Sequence, residues 1–360
     1  MPTINDIRCL SKILAAATVL TTSASSALAC TDFLIKAKDG SIVEGRSMEW
    51  GADLKSHVRF HPRGEDRKSE SPDQKTSMVW YSKYSFLGVD CNGMDIVVDG
   101  MNEKGLSMSG LWLPGTVYQT IRDPKTALEV VDIGAWILGN YATVDEVTAA
   151  IGNVQVWGRL MAEWGGIPTM HLALHDASGR SVVIEFTDGH QKIFENPNGV
   201  LTNAPTFDWH TTNLRNYIRL SPFNSEPVKL HGTVLAPPGQ GGGFLGIPGD
   251  WTPPSRFVRT TAMLAFAAPP NQTLDAVNLA EHTLNAVDIP IGDARADKDH
   301  SDYTQWIVIK DLTNKILYYR SYDNLSLRSI DLKSLNALKQ VSIPIAGGTA
   351  IVDTTSLLRP

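Results

Sequence analysis

Strands come in blocks and helices in pairs along this chain, and that order excludes most folds. Directly after Cys30, TDFLIKAKDGSIVEGRSMEW alternates around Lys38-Asp39-Gly40 and predicts two strands joined by a turn. Residues 53–76 are polar and charged, which predicts a surface loop. Asp95 to Asp99 and Leu106 to Leu113 predict strands, linked by a turn from Gly100 to Gly105 rich in residues that tolerate positive φ. A helix is expected from Asp123-Pro124 to about Leu138, and Thr143 with Glu146 forms a capping box for the next. Met170 to Asn196 holds three β runs with turns at Ser178-Gly179 and Asp188-Gly189. A long loop rich in Pro and Gly follows, then helices at Pro254–Ala267 and Leu274–Val287. Strands at Tyr303–Lys310, Lys315–Ser321 and near Leu327–Leu332 close the pattern. Such blocks favour an α+β class, with antiparallel sheets and separate helical layers, over a doubly wound parallel sheet. No repeat or low-complexity stretch divides the chain. One domain over residues 30–360 is the simplest organisation, its final 20 residues a loosely packed tail.

The first 29 residues read as an export leader. Arg8 and Lys12 precede an apolar run from Ile13 to Leu20, and Ala27-Leu28-Ala29 is a small-residue cleavage pattern. Cleavage after Ala29 leaves 360 − 29 = 331 residues headed by Cys30 and shifts the formal charge from −6 to −7, through loss of Arg8, Lys12 and Asp6. An acidic chain with mixed charges argues against a nucleic-acid binder. Nothing after Cys30 approaches the roughly 20 apolar residues of a membrane span. The expected product is exported, periplasmic or secreted, with no membrane segment in the mature form. Cys30 and Cys91 are its two cysteines. A disulfide between them is possible in an oxidising compartment, but would consume Cys30. A lipoprotein also begins with cysteine; its signal places Leu three residues earlier, where this chain has Ala27. A lipidated Cys30 would have a blocked amine and a thioether in place of the thiol.

A chain-terminal cysteine carries a thiol and an α-amine on one residue. The amine has an ordinary pKa of about 7.7–8.0, so it can accept the thiol proton near neutrality without a separate histidine. Several motifs surround this feature. Arg46 and Glu49 lie in GRSMEW, Asp99 to Leu106 reads DGMNEKGL, and Trp112 lies in SGLWLPG. Asn203 lies in VLTNAPTFDWH, GIPGD leads to Ser255-Arg256-Phe257, and YYRSYDN stands near the end. In this order and spacing they closely resemble the choloylglycine hydrolase family, which includes bile salt hydrolases and penicillin V acylases.

The resemblance implies a four-layer αββα N-terminal-nucleophile hydrolase fold with two stacked antiparallel sheets, and hydrolysis of linear amide C–N bonds. It makes Cys30 the nucleophile, Arg46 the arginine beside the thiol and Arg256 the second active-site arginine. Asn203 and the Trp112 backbone N–H become the oxyanion donors. Glu49 stands where the family has aspartate; its longer side chain would aim the α-amine from a shifted position. Physical chemistry agrees: a nearby guanidinium favours the thiolate, and each oxyanion donor is worth about 10²–10³ in rate. The Trp112 indole would wall an apolar acyl pocket with Phe33, Met48 and Trp50. Tryptophan at this position resembles the exported branch that cleaves penicillin V and N-acyl homoserine lactones, and leans away from conjugated bile acids. The expected partner is a small-molecule amide. The resemblance also implies a homotetramer; no cofactor or metal is implied.

Other readings have less behind them. His171 and His175 are four apart, but on a strand they are far apart along one face and lack a supporting carboxylate or thiol cluster. A Cys30–His210 pair would need no trimmed terminus, yet no spacing supports it. Gly241, Gly243 and Gly246 fit GxGxxG, but Pro248 follows and no Lys-Ser/Thr does. Cys91 reads as a buried thiol without a catalytic role. From another functional class comes an exported lipoprotein or binding protein that keeps the fold without the chemistry.

Overall fold

The structure is a computed structural model that describes residues 29–335, 339–354 and 357. The expected leader, apart from Ala29, lies outside the described residues. Two adjacent strands start the architecture, β1 (Cys30–Lys36) and β2 (Ile42–Trp50). Their turn forms where Gly40 takes φ +89°, while the Asp39 carboxylate accepts from the Ser41 N–H at 2.9 Å and its hydroxyl at 2.6 Å. The register pairs Cys30 with Met48, Asp32 with Arg46 and Leu34 with Glu44. Alternation therefore places Cys30, Asp32, Glu44, Arg46 and Met48 on one face and Phe33 opposite Gly45 on the other. A Cβ at residue 45 would lie 2.5 Å from Phe33 Cζ, so only glycine fits under that ring.

The first sheet runs in the order Val200–Leu201, β1, β2, Ser301–Asp311, Ile316–Ser321, Asn324–Asp331, with Ala294–Arg295 paired to Ser301–Asp311 off this path. The second runs His190–Glu195, Ser181–Thr187, Met170–His175, Ser107–Trp112, Met94–Asn102, Phe86–Cys91, His57–His61, Val341–Pro344. Pairing is antiparallel throughout both. The sheets face each other through the Cys30 face of β1 and β2. Helix Ile133–Asn140 packs on the outside of the second sheet, and Pro253–Phe266 and Thr273–Asn285 on the outside of the first. This is the αββα arrangement that the motifs implied.

Three local expectations change. The helix expected from Asp123 is a short 3-10 turn at Pro124–Thr126, a strand at Ala127–Glu129, and α-helix only from Ile133 to Asn140. Ala127–Glu129 is buried and pairs in parallel with Gln155–Trp157, which overrides a helical start at Asp123-Pro124. The stretch 53–76 contains His57–His61, an integral strand of the second sheet with Val58, Phe60 and His61 buried. Part of the expected tail, Val341–Pro344, hydrogen-bonds to that strand.

Candidate active site

Cys30 opens β1 and is 2% exposed. Its sulfur lies 3.8 Å from Arg46 Nη2 and 3.7 Å from Met48 Sδ. Arg46 is held on three sides: Nη2 donates to the Gly110 carbonyl at 2.7 Å, Nε meets Asp99 Oδ2 at 3.2 Å, and the guanidinium carbon lies 5.8 Å from the Trp306 ring centre. Burial pushes the Cys30 thiol pKa up, and the opposing pull of Arg46 is the smaller effect. The expectation that Arg46 favours the thiolate holds in direction, but desolvation outweighs it in this form of the chain.

Asn203 follows Val200–Leu201, the strand paired to β1, and so arrives beside Cys30. Its Oδ1 accepts from the Cys30 backbone N–H at 2.6 Å and from Arg256 Nη2 at 2.8 Å. Two donors on one atom fix the amide orientation and turn Nδ2 toward the Trp112 carbonyl, 2.9 Å away. Leu113 N donates to Thr169 O at 2.9 Å, so strand alternation turns the Trp112 N–H away from Met170–His175, to the side of Asn203. Arg256, near the start of helix Pro253–Phe266, also donates from Nη1 to the Cys30 carbonyl at 2.5 Å and to Thr31 Oγ1 at 2.7 Å. One guanidinium thus clamps both Asn203 and the first peptide of β1.

Glu49 is fully buried on β2, with Oε1 accepting from Thr304 Oγ1 at 2.8 Å. Burial raises its carboxyl to about 7, against the lowering effect of Arg256. The Cys30 nitrogen contacts Asn203 rather than Glu49. Ala29 is still attached here, its carbonyl accepting from Glu49 N at 3.0 Å, so that nitrogen is an amide with a single hydrogen.

Above the sulfur is a narrow apolar cavity lined by Cys30, Met48, Trp50, Leu54, Trp112 and Trp164, among others. About 20 Å³ is open to the centre of a water-sized sphere, room for one water. Trp50 meets Trp112 edge-on at 5.3 Å, and Trp164 stacks on Trp112 at 5.9 Å and 22°. Of the expected pocket residues, Trp112, Met48 and Trp50 line this cavity; Phe33 does not. Phe33 is an odd number of residues from Cys30, so β alternation turns it to the helical side over Gly45. Trp164, Leu54, Cys91 and Met170 line the cavity and were not anticipated. Their only sequence signal was an apolar residue in a loop or strand far from Cys30.

The other candidates have structural partners. His171 bridges Glu185 and the Thr202 carbonyl, and His175 Nε2 lies 2.7 Å from Asp32 Oδ1. His210 Nε2 lies 2.8 Å from the Asn203 carbonyl and the ring stacks on Phe257; burial lowers its pKa to about 4. It supports the loop at Asn203 and does not pair with Cys30. Cys30 and Cys91 are both free thiols. Asp32, Glu44 and His175 gather as metal ligands would, but the Lys310 ammonium, 2.6 Å from Glu44, supplies a cation there.

The fold is that of the N-terminal-nucleophile hydrolases, two stacked antiparallel sheets, here with a cysteine at the head of an inner strand. A sequence model of linear amide C–N hydrolases, choloylglycine hydrolase family, matches residues 30–346. The chain belongs to the choloylglycine hydrolase family. It is 36% identical over 314 residues to the bile salt hydrolase/transferase of Clostridium perfringens, covering 85% of this chain and 93% of that protein. The penicillin V acylase of Pectobacterium atrosepticum is 28% identical over 346 residues, covering 88% and 84%. Among solved structures, a variant of the conjugated bile acid hydrolase from Clostridium perfringens superposes with a TM-score of 0.80 at 31% identity, covering 90% of this chain and 100% of that one. Penicillin V acylase from Agrobacterium tumefaciens gives 0.71 at 25% identity, covering 85% and 87%.

Proposed function

We propose that this protein is an exported amidase that cleaves linear amides with an apolar acyl part through a Cys30 thioester, after removal of residues 1–29. The observation that carries this reading is the convergence on Cys30 of Arg46, Asn203 and Arg256 beneath an apolar cavity. The family match begins at Cys30, which supports trimming at that point.

In the trimmed chain the sulfur attacks the amide carbon while the Cys30 α-amine takes its proton. Asn203 Nδ2 and the Trp112 N–H receive the oxyanion; their common side of the strand supports that role. The C–N bond then breaks as the ammonium protonates the leaving amine, giving a thioester. Water, deprotonated by the same amine, releases the acid and restores the thiol. Arg256 keeps the Asn203 amide from flipping, which is what makes Nδ2 available. Glu49, whose carboxylate the new ammonium favours, accepts a hydrogen bond from it through Oε2, which has no hydrogen-bond partner among the described residues.

The tryptophans and methionine around the sulfur support an apolar acyl part, as in penicillin V or an N-acyl homoserine lactone, for which the wall must open beyond the one-water space described above. Conjugated bile salts are the second reading, favoured by the 36% identity to a bile salt hydrolase/transferase. The exposed hairpin Val228–Leu230 and Thr233–Leu235, with Val228 60% and Val234 65% exposed, supports self-association, as in the expected tetramer. Turnover of the three amide classes by the trimmed protein and by Cys30→Ser tests the reading. Hydrolysis lost in Cys30→Ser is expected. Unchanged turnover excludes the nucleophile, and no turnover of any amide by a correctly trimmed wild type favours a binding protein on this fold.

A further inference from the structure

Behind Arg46, between the two sheets, lies a chain of wholly buried polar groups. Arg46 and Glu44 come from β2, Asp32 from β1 and Lys310 from Ser301–Asp311. Asp99, Ser109 and His175 face them from Met94–Asn102, Ser107–Trp112 and Met170–His175 of the other sheet. Asp99 is at the centre. Its Oδ2 is 3.2 Å from Arg46 Nε, 2.8 Å from Lys310 Nζ and 2.7 Å from Ser109 Oγ. Ser109 Oγ is also 2.8 Å from Glu44 Oε1, and Lys310 Nζ is 2.6 Å from the same oxygen. His175 pairs with Asp32 at the far end, 2.7 Å away.

Two consequences follow for the sulfur. Asp99 lies as an ion-pair partner against the inner edge of the Arg46 guanidinium, Oδ2 3.2 Å from Nε, while Nη2 faces Cys30 Sγ at 3.8 Å. A carboxylate this close also cancels part of the field that Arg46 exerts on the thiol, in a medium where charges act strongly. Burial pushes the Asp99 carboxyl up, and the two cations beside it, Lys310 at 2.8 Å and Arg46 at 3.2 Å, pull the other way and favour its ionised form.

We propose that Asp99 is a positioning residue for the Cys30 sulfur, fixing Arg46 from the opposite sheet and setting how much of its charge the thiol experiences. This rests on the reading of Cys30 as nucleophile, but its test reads the thiol directly. In the trimmed protein, Asp99→Asn keeps an oxygen for Arg46 Nε and removes the charge. The pH dependence of Cys30 alkylation by iodoacetamide, quantified on the Cys30 peptide by mass spectrometry, is compared with wild type. Removing one negative charge within about 10 Å at an effective dielectric of about 20 raises the alkylation rate on the acid limb about tenfold and moves its midpoint to lower pH. Ser109→Ala, a smaller change in the same network, removes the hydroxyl 2.7 Å from Asp99 Oδ2, disfavours the ionised carboxylate and moves the midpoint the same way by less. It carries the test if Asp99→Asn does not fold. A midpoint unchanged or moved upward in a folded variant overturns the proposal. Loss of the amidase reading would appear separately, as unchanged amide turnover in Cys30→Ser.

Discussion

Glu49 gives a prediction with a definite sign. Its carboxyl is raised from 4.5 to about 7, mainly by burial. The native state therefore holds this proton more tightly than the unfolded chain. Below about 4.5 both states are protonated and the group contributes no difference. Between 4.5 and 7 the unfolded chain releases its proton first, so stability falls as pH rises, and above about 7 the full cost is present. At 1.36 kcal/mol per pH unit, the span corresponds to about 3 kcal/mol. Glu49→Gln keeps an acceptor for Thr304 Oγ1 and cannot ionise, so it removes that slope. In the chain that retains Ala29, thermal unfolding of wild type and Glu49→Gln is compared at pH 5 and pH 8. The wild type is expected to lose about 5 °C relative to the variant over that interval. In the trimmed chain the adjacent ammonium favours the carboxylate, and the difference shrinks. Parallel pH profiles for the two untrimmed proteins would refute the reasoning.

Three further outcomes follow. Asn203→Ala removes the proposed oxyanion donor and the acceptor that Arg256 and the Cys30 nitrogen share; kcat is expected to fall about 10²–10³-fold with the protein still folded, measured by steady-state hydrolysis. Trp164→Ala removes the indole packed on Trp50 and Trp112 and opens that part of the cavity wall, so the ratio of kcat/KM for bulky over narrow acyl groups should rise; an unchanged ratio would show that Trp164 does not shape acyl selection. Phe33→Ala should cost about 3–5 kcal/mol in denaturant unfolding, because it empties the core over Gly45, and leave acyl preference unchanged.

The strand pair that carries Cys30 was legible because alternation and Lys38-Asp39-Gly40 agree on one register. That same register contains the correction to Phe33, since residues three apart on a strand face opposite ways. It also contains a signal left unread: Asp32, Glu44 and Arg46 share the Cys30 face, so charges had to be buried between the sheets. Their partners Asp99 and Lys310 are 211 positions apart, and no local pattern joins them. His57–His61 was hidden by polar neighbours, because an outer strand shows only a few buried positions. Trp164 ends a three-residue 3-10 turn, Ala162–Trp164, too short for periodicity to give a direction, and only packing against Trp50 and Trp112 gives it a place. Asn203 and Arg256 were found through motif order, and the structure adds that they bind each other.

The central claim is that the Cys30 nitrogen must be free for the sulfur to act. The most direct measurement prepares the protein in two forms differing only by Ala29, confirms each terminus by intact mass, and follows hydrolysis of one apolar linear amide. Turnover by the form that begins at Cys30, with none by the form that keeps Ala29, is the expected result. Equal rates from both would contradict the account, because the amide nitrogen of Cys30 in the longer form cannot take the thiol proton.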